Sequence, residues 1–167
     1  MGVRFPHAGP NTMIKIHDNF ITEEECQYWI SQSPVYKKDN PKGNEDWLER
    51  NKKITYLPIV EKVRQHHKEK DNLDLEIFEA SLQVWADGTE AIPHVHDEQG
   101  GRQQTGYNSI IYLNDDFEGG EFIAPDQAVA LTPVPGRLIV FDGSKVKHGI
   151  NPISGNTRYT IIFWWKK

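Results

Sequence analysis

The stretch Pro93-His94-Val95-His96-Asp97-Glu98 places two imidazoles and two carboxylates within six residues. In an extended chain, residues two apart point to the same side. His94, His96 and Glu98 then share one face, and Asp97 points away. Two imidazoles and a carboxylate converging on one side are costly to bury without a partner. A divalent metal would satisfy all three. A His-x-Asp/Glu pair with one further histidine from a later strand can hold iron(II) on one triangular face, leaving positions open for substrate and oxygen. His96-x-Glu98 matches the pair, and His148, after the apolar run Leu138-Ile139-Val140-Phe141, is the later histidine. His7 falls in an N-terminal arm, His17 in a first strand, and His66 and His67 in the charged end of a helix. The last two are expected to be solvated and favoured by the helix dipole, not to be ligands. A lone His-x-Glu also arises by chance, so the pair gains its weight from partners further along the chain.

Ten residues beyond His148 stands Arg158, in the segment NTRYTIIFWW. Arg158 and Thr160 are two apart and share one face of a strand. A guanidinium pairs bidentately with a carboxylate, and a threonine hydroxyl donates to the same group. Together they suit one end of a dicarboxylate. An arginine before a terminal strand also serves as a plain surface charge, so the pairing with Thr160 is the informative part.

These residues must be positioned by a scaffold, and its elements are legible. Ile14 to Phe20 reads as a short strand. Thr22 stands three residues before Glu25, the spacing of a capping box, and Ile21 with Cys26 has the spacing of a hydrophobic staple; a helix is predicted over 23–31. Residues 33–51 are polar with Pro34, Pro41 and Gly43, and read as a long loop of the kind that binds or covers a ligand. A second helix is predicted over 57–70, with Pro58 in its first turn. Beyond Asp74 the period changes to two, with Phe78, Ala80, Leu82 and Val84 on one face. Short strands are expected near 107–113, 120–124, 128–131, 137–141 and 157–165, most of them separated by Gly, Pro, Asn or Asp. Helices first and then many strands give a mainly β, α+β chain: a sandwich or barrel with helices on one side.

The bulk numbers narrow the class. The 167 residues suit one domain, taken as 13–167, with 1–12 read as a loose arm or an expression remnant before Met13. With 19 Lys plus Arg against 24 Asp plus Glu, the net charge is -5, so nucleic acid and anionic membrane are not expected partners. Cys26 is the single cysteine, which excludes an intramolecular disulfide and fits a reducing compartment. No apolar run approaches the ~20 residues of a membrane span. A soluble, cytoplasmic protein is the expectation.

Four segments resemble a known family, the 2-oxoglutarate/iron(II) dioxygenases, in their prolyl-hydroxylase-like branch. They are IKIHDNFITEEECQYWI from Ile14, WADGTEAIPHVHDE from Trp85, YNSIIYLNDDFEGGEF from Tyr107, and PGRLIVFDGSKVKHGINPISGNTRYTIIFWW from Pro135. The resemblance implies a double-stranded β-helix, a cupin-like jelly-roll barrel, with N-terminal helices packed on one side. It implies iron(II), 2-oxoglutarate and dioxygen as cofactor and co-substrates, with ascorbate supportive. By resemblance His148 is the distal iron ligand, Arg158 with Thr160 binds the far carboxylate of 2-oxoglutarate, and Tyr112 reaches the same carboxylate. The upstream ligands have two registers. Six residues on from Gly88, the first ligand is His94 and His96 takes the aspartate position. Counted back from Tyr112-Leu113-Asn114, the first ligand is His96 and Glu98 is the acid. The set with a carboxylate, His96, Glu98 and His148, is preferred here, with His94 as the alternative to Glu98. The implied reaction is hydroxylation of a peptidyl or free amino acid, proline first, with release of succinate and carbon dioxide. Residues 33–51, including Trp47, and 99–106 are the expected substrate contacts. A metal-binding cupin-like barrel without oxygenase activity, and an oxygenase of the same fold acting on nucleic-acid bases or another substrate, are the competing readings.

Overall fold

The computed structural model describes residues 13–35, 50–97 and 102–167. The expected N-terminal arm, Trp47 and Glu98 lie outside them. Strand β1 (Ile14–His17) is shorter than its alternation predicts, because Asn19 takes a positive φ of 56° and turns the chain into α1 (Glu23–Gln32). The capping box forms as expected. Thr22 Oγ1 accepts from the Glu25 amide at 3.1 Å, and the Glu25 carboxylate accepts from the Thr22 amide at 2.7 Å. Ile21 and Cys26 are buried in the same cluster. After β2 (Asn51–Lys53), Pro58 opens α2 (Pro58–His66) at a position where its missing N–H costs nothing. The predicted helix then widens into a π turn (His67–Asp71), which Asn72 ends in the left-handed conformation.

The remaining strands are β3 (Ile77–Trp85), β4 (Ala91–His94), β5 (Thr105–Tyr112), β6 (Glu118–Gly119), β7 (Phe122–Ala124), β8 (Val129–Leu131), β9 (Leu138–Asp142), β10 (His148–Ile150), β11 (Ile153–Ser154) and β12 (Arg158–Lys166). One sheet has six strands in the order β1-β9-β5-β12-β3-β2, and a second has four in the order β4-β10-β7-β8. Every strand pair is antiparallel. The large sheet is apolar on both faces. Ala80, Leu82, Ile111, Leu138, Ile161, Phe163 and Trp165 meet the helices, while Trp85, Ile110, Tyr112, Ile139 and Phe141 meet the small sheet. A sheet covered on both sides leaves little polar alternation in its central strands. This explains why β3 is buried continuously from Ala80 to Trp85, while Phe78, expected on the core face, is 36% exposed.

His66 and His67 differ from expectation. His67 is fully buried, because the π turn rotates its ring beneath the large sheet. Its Nδ1 meets Asp71 Oδ2 at 2.8 Å, and its Nε2 meets Ser109 Oγ at 2.7 Å. Ser109 Oγ also accepts from Trp165 Nε1 at 2.8 Å, and His17 Nε2 lies 2.9 Å from both Asp71 oxygens. His66 packs edge-on to His17 with ring centroids 4.5 Å apart. Burial and the adjacent His17 and His67 hold its imidazole below the ordinary range. Burial works to raise the Asp71 carboxyl. The hydrogen bonds from His17 and His67, and the attraction of the same two rings, outweigh it and hold the group well below the ordinary carboxylate range.

A carboxyl lowered in the folded state stabilises the fold above its unfolded pKa of about 4 and loses that contribution as the pH falls below it. Asp71→Asn is therefore expected to destabilise the protein by about 2–3 kcal/mol at neutral pH. The difference from the parent should shrink on acidification below about pH 4, as read by urea unfolding across that range.

Candidate metal and anion site

Register builds the first half of the site. Strand β10 pairs with β4 so that His148 lies opposite His94. The extended run ends at His94. Val95 to Asp97 turn away, and the His96 amide donates to the Gly143 carbonyl at 2.8 Å. The expected strand alternation through 94, 96 and 98 therefore does not continue, yet the bend returns the His96 ring to its neighbours. Ring centroids are 5.4 Å apart for His94 and His96, 4.7 Å for His94 and His148, and 4.9 Å for His96 and His148. One nitrogen from each of the three rings lies within 4.8 Å of the other two.

The tautomers follow from the acceptors. His148 Nδ1 lies 2.7 Å from the Val146 carbonyl, and His94 Nδ1 lies 2.9 Å from the Ile92 carbonyl. A carbonyl only accepts, so each Nδ1 carries a proton, which leaves Nε2 of the neutral ring with its lone pair. Burial pushes the His148 imidazole down to about 3; the Val146 bond works to raise it, and the His96 and His94 rings lower it further. Burial, then His94 and Arg102, push His96 down to about 4. Both are neutral at physiological pH, the state in which imidazole binds a metal. Phe141, 4.6 Å from the His148 ring, and Phe122, stacked at 5.8 Å, fix its orientation.

The second half lies on β12. Arg158, Thr160, Ile162 and Trp164 face the same side and line a cavity of about 730 Å³ that also contains the three histidines. Across the sheet, Thr160 is flanked by Tyr112 on β5 and Gln83 on β3, and Arg158 by Trp85. Arg158 is 1% exposed. Its guanidinium carbon lies 5.4 Å from the Tyr112 ring centre and 5.7 Å from that of Trp85. Arg158 Nε and Nη2, Tyr112 Oη and Thr160 Oγ1 are buried without a hydrogen-bond partner among the described residues. A buried guanidinium flanked by two unpaired hydroxyls calls for an anion, and a carboxylate accepts from all three. These donors fit the far end of 2-oxoglutarate, and three clustered imidazoles fit a divalent cation.

The structure therefore brings together His94, His96, His148, Arg158, Thr160 and Tyr112, and Glu98 lies outside the described residues. Sequence reasoning missed Gln83, Trp85 and Asn108, which also line the cavity. Their signal was parity: Asn108 shares the face of Ile110 and Tyr112, and a fully buried amide in such a strand needs a reason.

Comparison with known proteins agrees with this geometry. Residues 80–166 match the model of the 2OG-Fe(II) oxygenase superfamily. The chain belongs to that superfamily. That family's chemistry uses iron(II), 2-oxoglutarate and dioxygen. A 65-residue stretch is 35% identical to human prolyl 3-hydroxylase 2 and covers 35% of this chain. The same length is 37% identical to chicken prolyl 3-hydroxylase 1. The matched stretch spans 9% of the length of each of these curated relatives. In solved structures, the viral collagen prolyl hydroxylase of Paramecium Bursaria Chlorella virus-1 superposes with a TM-score of 0.68 at 16% identity, over 93% of this chain and 96% of that one. A Pseudomonas putida prolyl-4-hydroxylase gives 0.61 at 19% identity, over 94% of each chain. A Trichoplax adhaerens prolyl hydroxylase, solved with a hypoxia-inducible-factor peptide fragment, gives 0.66 at 16% identity, over 93% and 84%. At these identities the likeness speaks for the fold, a double-stranded β-helix with helices against one sheet. Among the described residues, no helix is long and apolar enough to cross a membrane.

Gly149 separates β10 from β4 closely enough that a Cβ there would lie 2.5 Å from the Ala91 carbonyl and 3.0 Å from the Pro93 nitrogen. Gly149→Ala must push the two strands apart where His94 faces His148. The variant is expected to fold but to bind Co(II), a spectroscopic stand-in for iron, on the order of ten-fold more weakly or worse, as read by absorbance titration.

Proposed function

We propose that this oxygenase hydroxylates a prolyl residue of a peptide or protein, using His94, His96 and His148 to hold iron(II) and Arg158, Thr160 and Tyr112 to hold 2-oxoglutarate. One observation carries the reading: three clustered imidazoles and a buried guanidinium with unsatisfied donors share a single cavity. The alternative ligand set replaces His94 with Glu98. The direct pairing of His94 with His148 favours the three-histidine set.

When bound, iron(II) and 2-oxoglutarate supply the oxidation, in which dioxygen is consumed, succinate and carbon dioxide are released, and one oxygen atom enters a substrate C–H bond. The chain's own residues set the geometry. The Val146 and Ile92 carbonyls hold the protons of His148 and His94 on Nδ1, away from the site. Arg158 fixes the carboxylate end by charge and by its planar fork, and the Thr160 and Tyr112 hydroxyls donate to the same oxygens. Trp85, Phe122 and Phe141 line the cavity and exclude water from it. Arg50 and Arg102, one from each of the two segments expected to contact substrate, also line it. Ile92 is 74% exposed beside it and offers an apolar contact for a peptide. A prolyl substrate is supported by the names of the curated relatives and of the structural neighbours.

The test is succinate formation from iron(II), ascorbate, oxygen and 2-oxoglutarate, without substrate and with proline-containing peptides or free proline. Proline peptides should raise succinate formation and gain the mass of one oxygen. Stimulation by free proline alone would overturn the peptide assignment, and absence of iron-dependent 2-oxoglutarate binding would overturn the whole reading. Arg158→Gln is expected to raise the 2-oxoglutarate KM on the order of 100-fold while Co(II) affinity stays within a few-fold. Metal retained in Glu98→Ala and lost in His94→Ala is the expected outcome for the ligand set; the reverse would restore Glu98.

A further inference from the structure

Two of the three imidazoles have their Nδ1 proton held by a backbone carbonyl two residues earlier. His96 does not. Its Nδ1 is buried without a hydrogen bond of full geometry, and so are both polar atoms of the Asn108 carboxamide. Asn108 is fully buried on β5, between Phe141 of β9 and Trp164 of β12, on the face that lines the cavity. Gly143 connects the two unsatisfied groups. A Cβ at that position would lie 2.3 Å from Asn108 Oδ1 and 2.7 Å from His96 Nδ1, so both atoms reach into one small space that the glycine leaves open. A donor-capable ring nitrogen and an amide oxygen left unpaired side by side cost on the order of 1–3 kcal/mol each. The Asn108 amide acts on the His96 ring across that space, working against the burial that holds the imidazole down.

We propose that Asn108 is the positioning residue of the metal site. Its Oδ1 accepts the Nδ1 proton of His96 and so turns His96 Nε2 toward the metal. It gives His96 the presentation that the Ile92 and Val146 carbonyls give His94 and His148. The proposal rests on the three-histidine reading. Under it the third ligand is a neutral nitrogen, and its electron donation is set by an amide on β5, not by the main chain.

The experiment is Co(II) titration of the full chain, followed by visible absorbance, with thermal melting as a check of folding. His148→Ala serves as the control for the site. Asn108→Leu, similar in size but without an acceptor, should bind Co(II) on the order of 10–100-fold more weakly. Asn108→Asp, isosteric and still an acceptor, should bind within a few-fold of the parent and shift the Co(II) absorption bands, because an anionic acceptor strengthens His96 as a donor. Leucine binding as tightly as the parent would overturn the role of Asn108. If the leucine variant does not fold, the aspartate spectrum decides alone, and unshifted bands overturn it. If the parent binds no Co(II), or His148→Ala binds it unchanged, the three-histidine reading itself falls, and this proposal with it.

Discussion

The register between β4 and β10 is the constraint on which the rest of the site depends. It sets His94 opposite His148 across one antiparallel pair, closely enough that Gly149 has no room for a side chain. Because side chains alternate with a period of two, a one-residue slip would send one of the two rings out of the cavity. The bend after His94, tied down by the His96 amide on Gly143, then delivers the third ring. Two strands and one turn thus bring three imidazoles together with little freedom left to lose were they to bind a metal.

The anion end is built by a different principle. Arg158, Thr160, Tyr112, Trp85 and Gln83 come from three adjacent strands of the large sheet in direct cross-strand register. The helices cover the far face of that sheet, so its near face can be buried as well. A guanidinium 1% exposed is held there by the packing of its neighbours, against its own desolvation, which lowers its pKa. Such a site binds by supplying donors already in place, so little ordering remains to oppose the ligand. The histidines and Arg158 meet in the cavity between the two sheets, so a cation held by the one and a keto acid held by the other would share one space.

Much of this was legible in the residues, for identifiable reasons. The α1 cap, the Pro58 start, the run of short strands and the His148-to-Arg158 step are local signals, each set by a few neighbours. The resemblance to the oxygenase family rested on those same motifs. What escaped was whatever tertiary packing decides. The choice of ligand register depends on how β4 meets β10, and no count along the chain fixes a cross-strand pairing. His67 read as a solvated helix-end residue because nothing in its helix announces the π turn that carries it under the sheet. Asn108, a single amide inside an apolar strand, had no partner in sequence. Its significance depends on Gly143 arriving from another strand end, 35 positions later.

Strand β5 carries a further consequence. Its successive residues Asn108 and Ser109 look in opposite directions: the amide into the cavity, the hydroxyl onto His67 and Trp165. The strand therefore acts as its own alignment gauge during assembly. A chain that docked β5 one position out of step would set Ser109 beside His96 and Ile110 beneath Trp165, or Tyr107 and Asn108 there if it slipped the other way, spoiling two unrelated polar clusters in a single error. Misdocked molecules are discriminated against from the front and from the back of the sheet together. A metal-binding mouth built from short strands can thus reach a unique alignment before any ion arrives to enforce it.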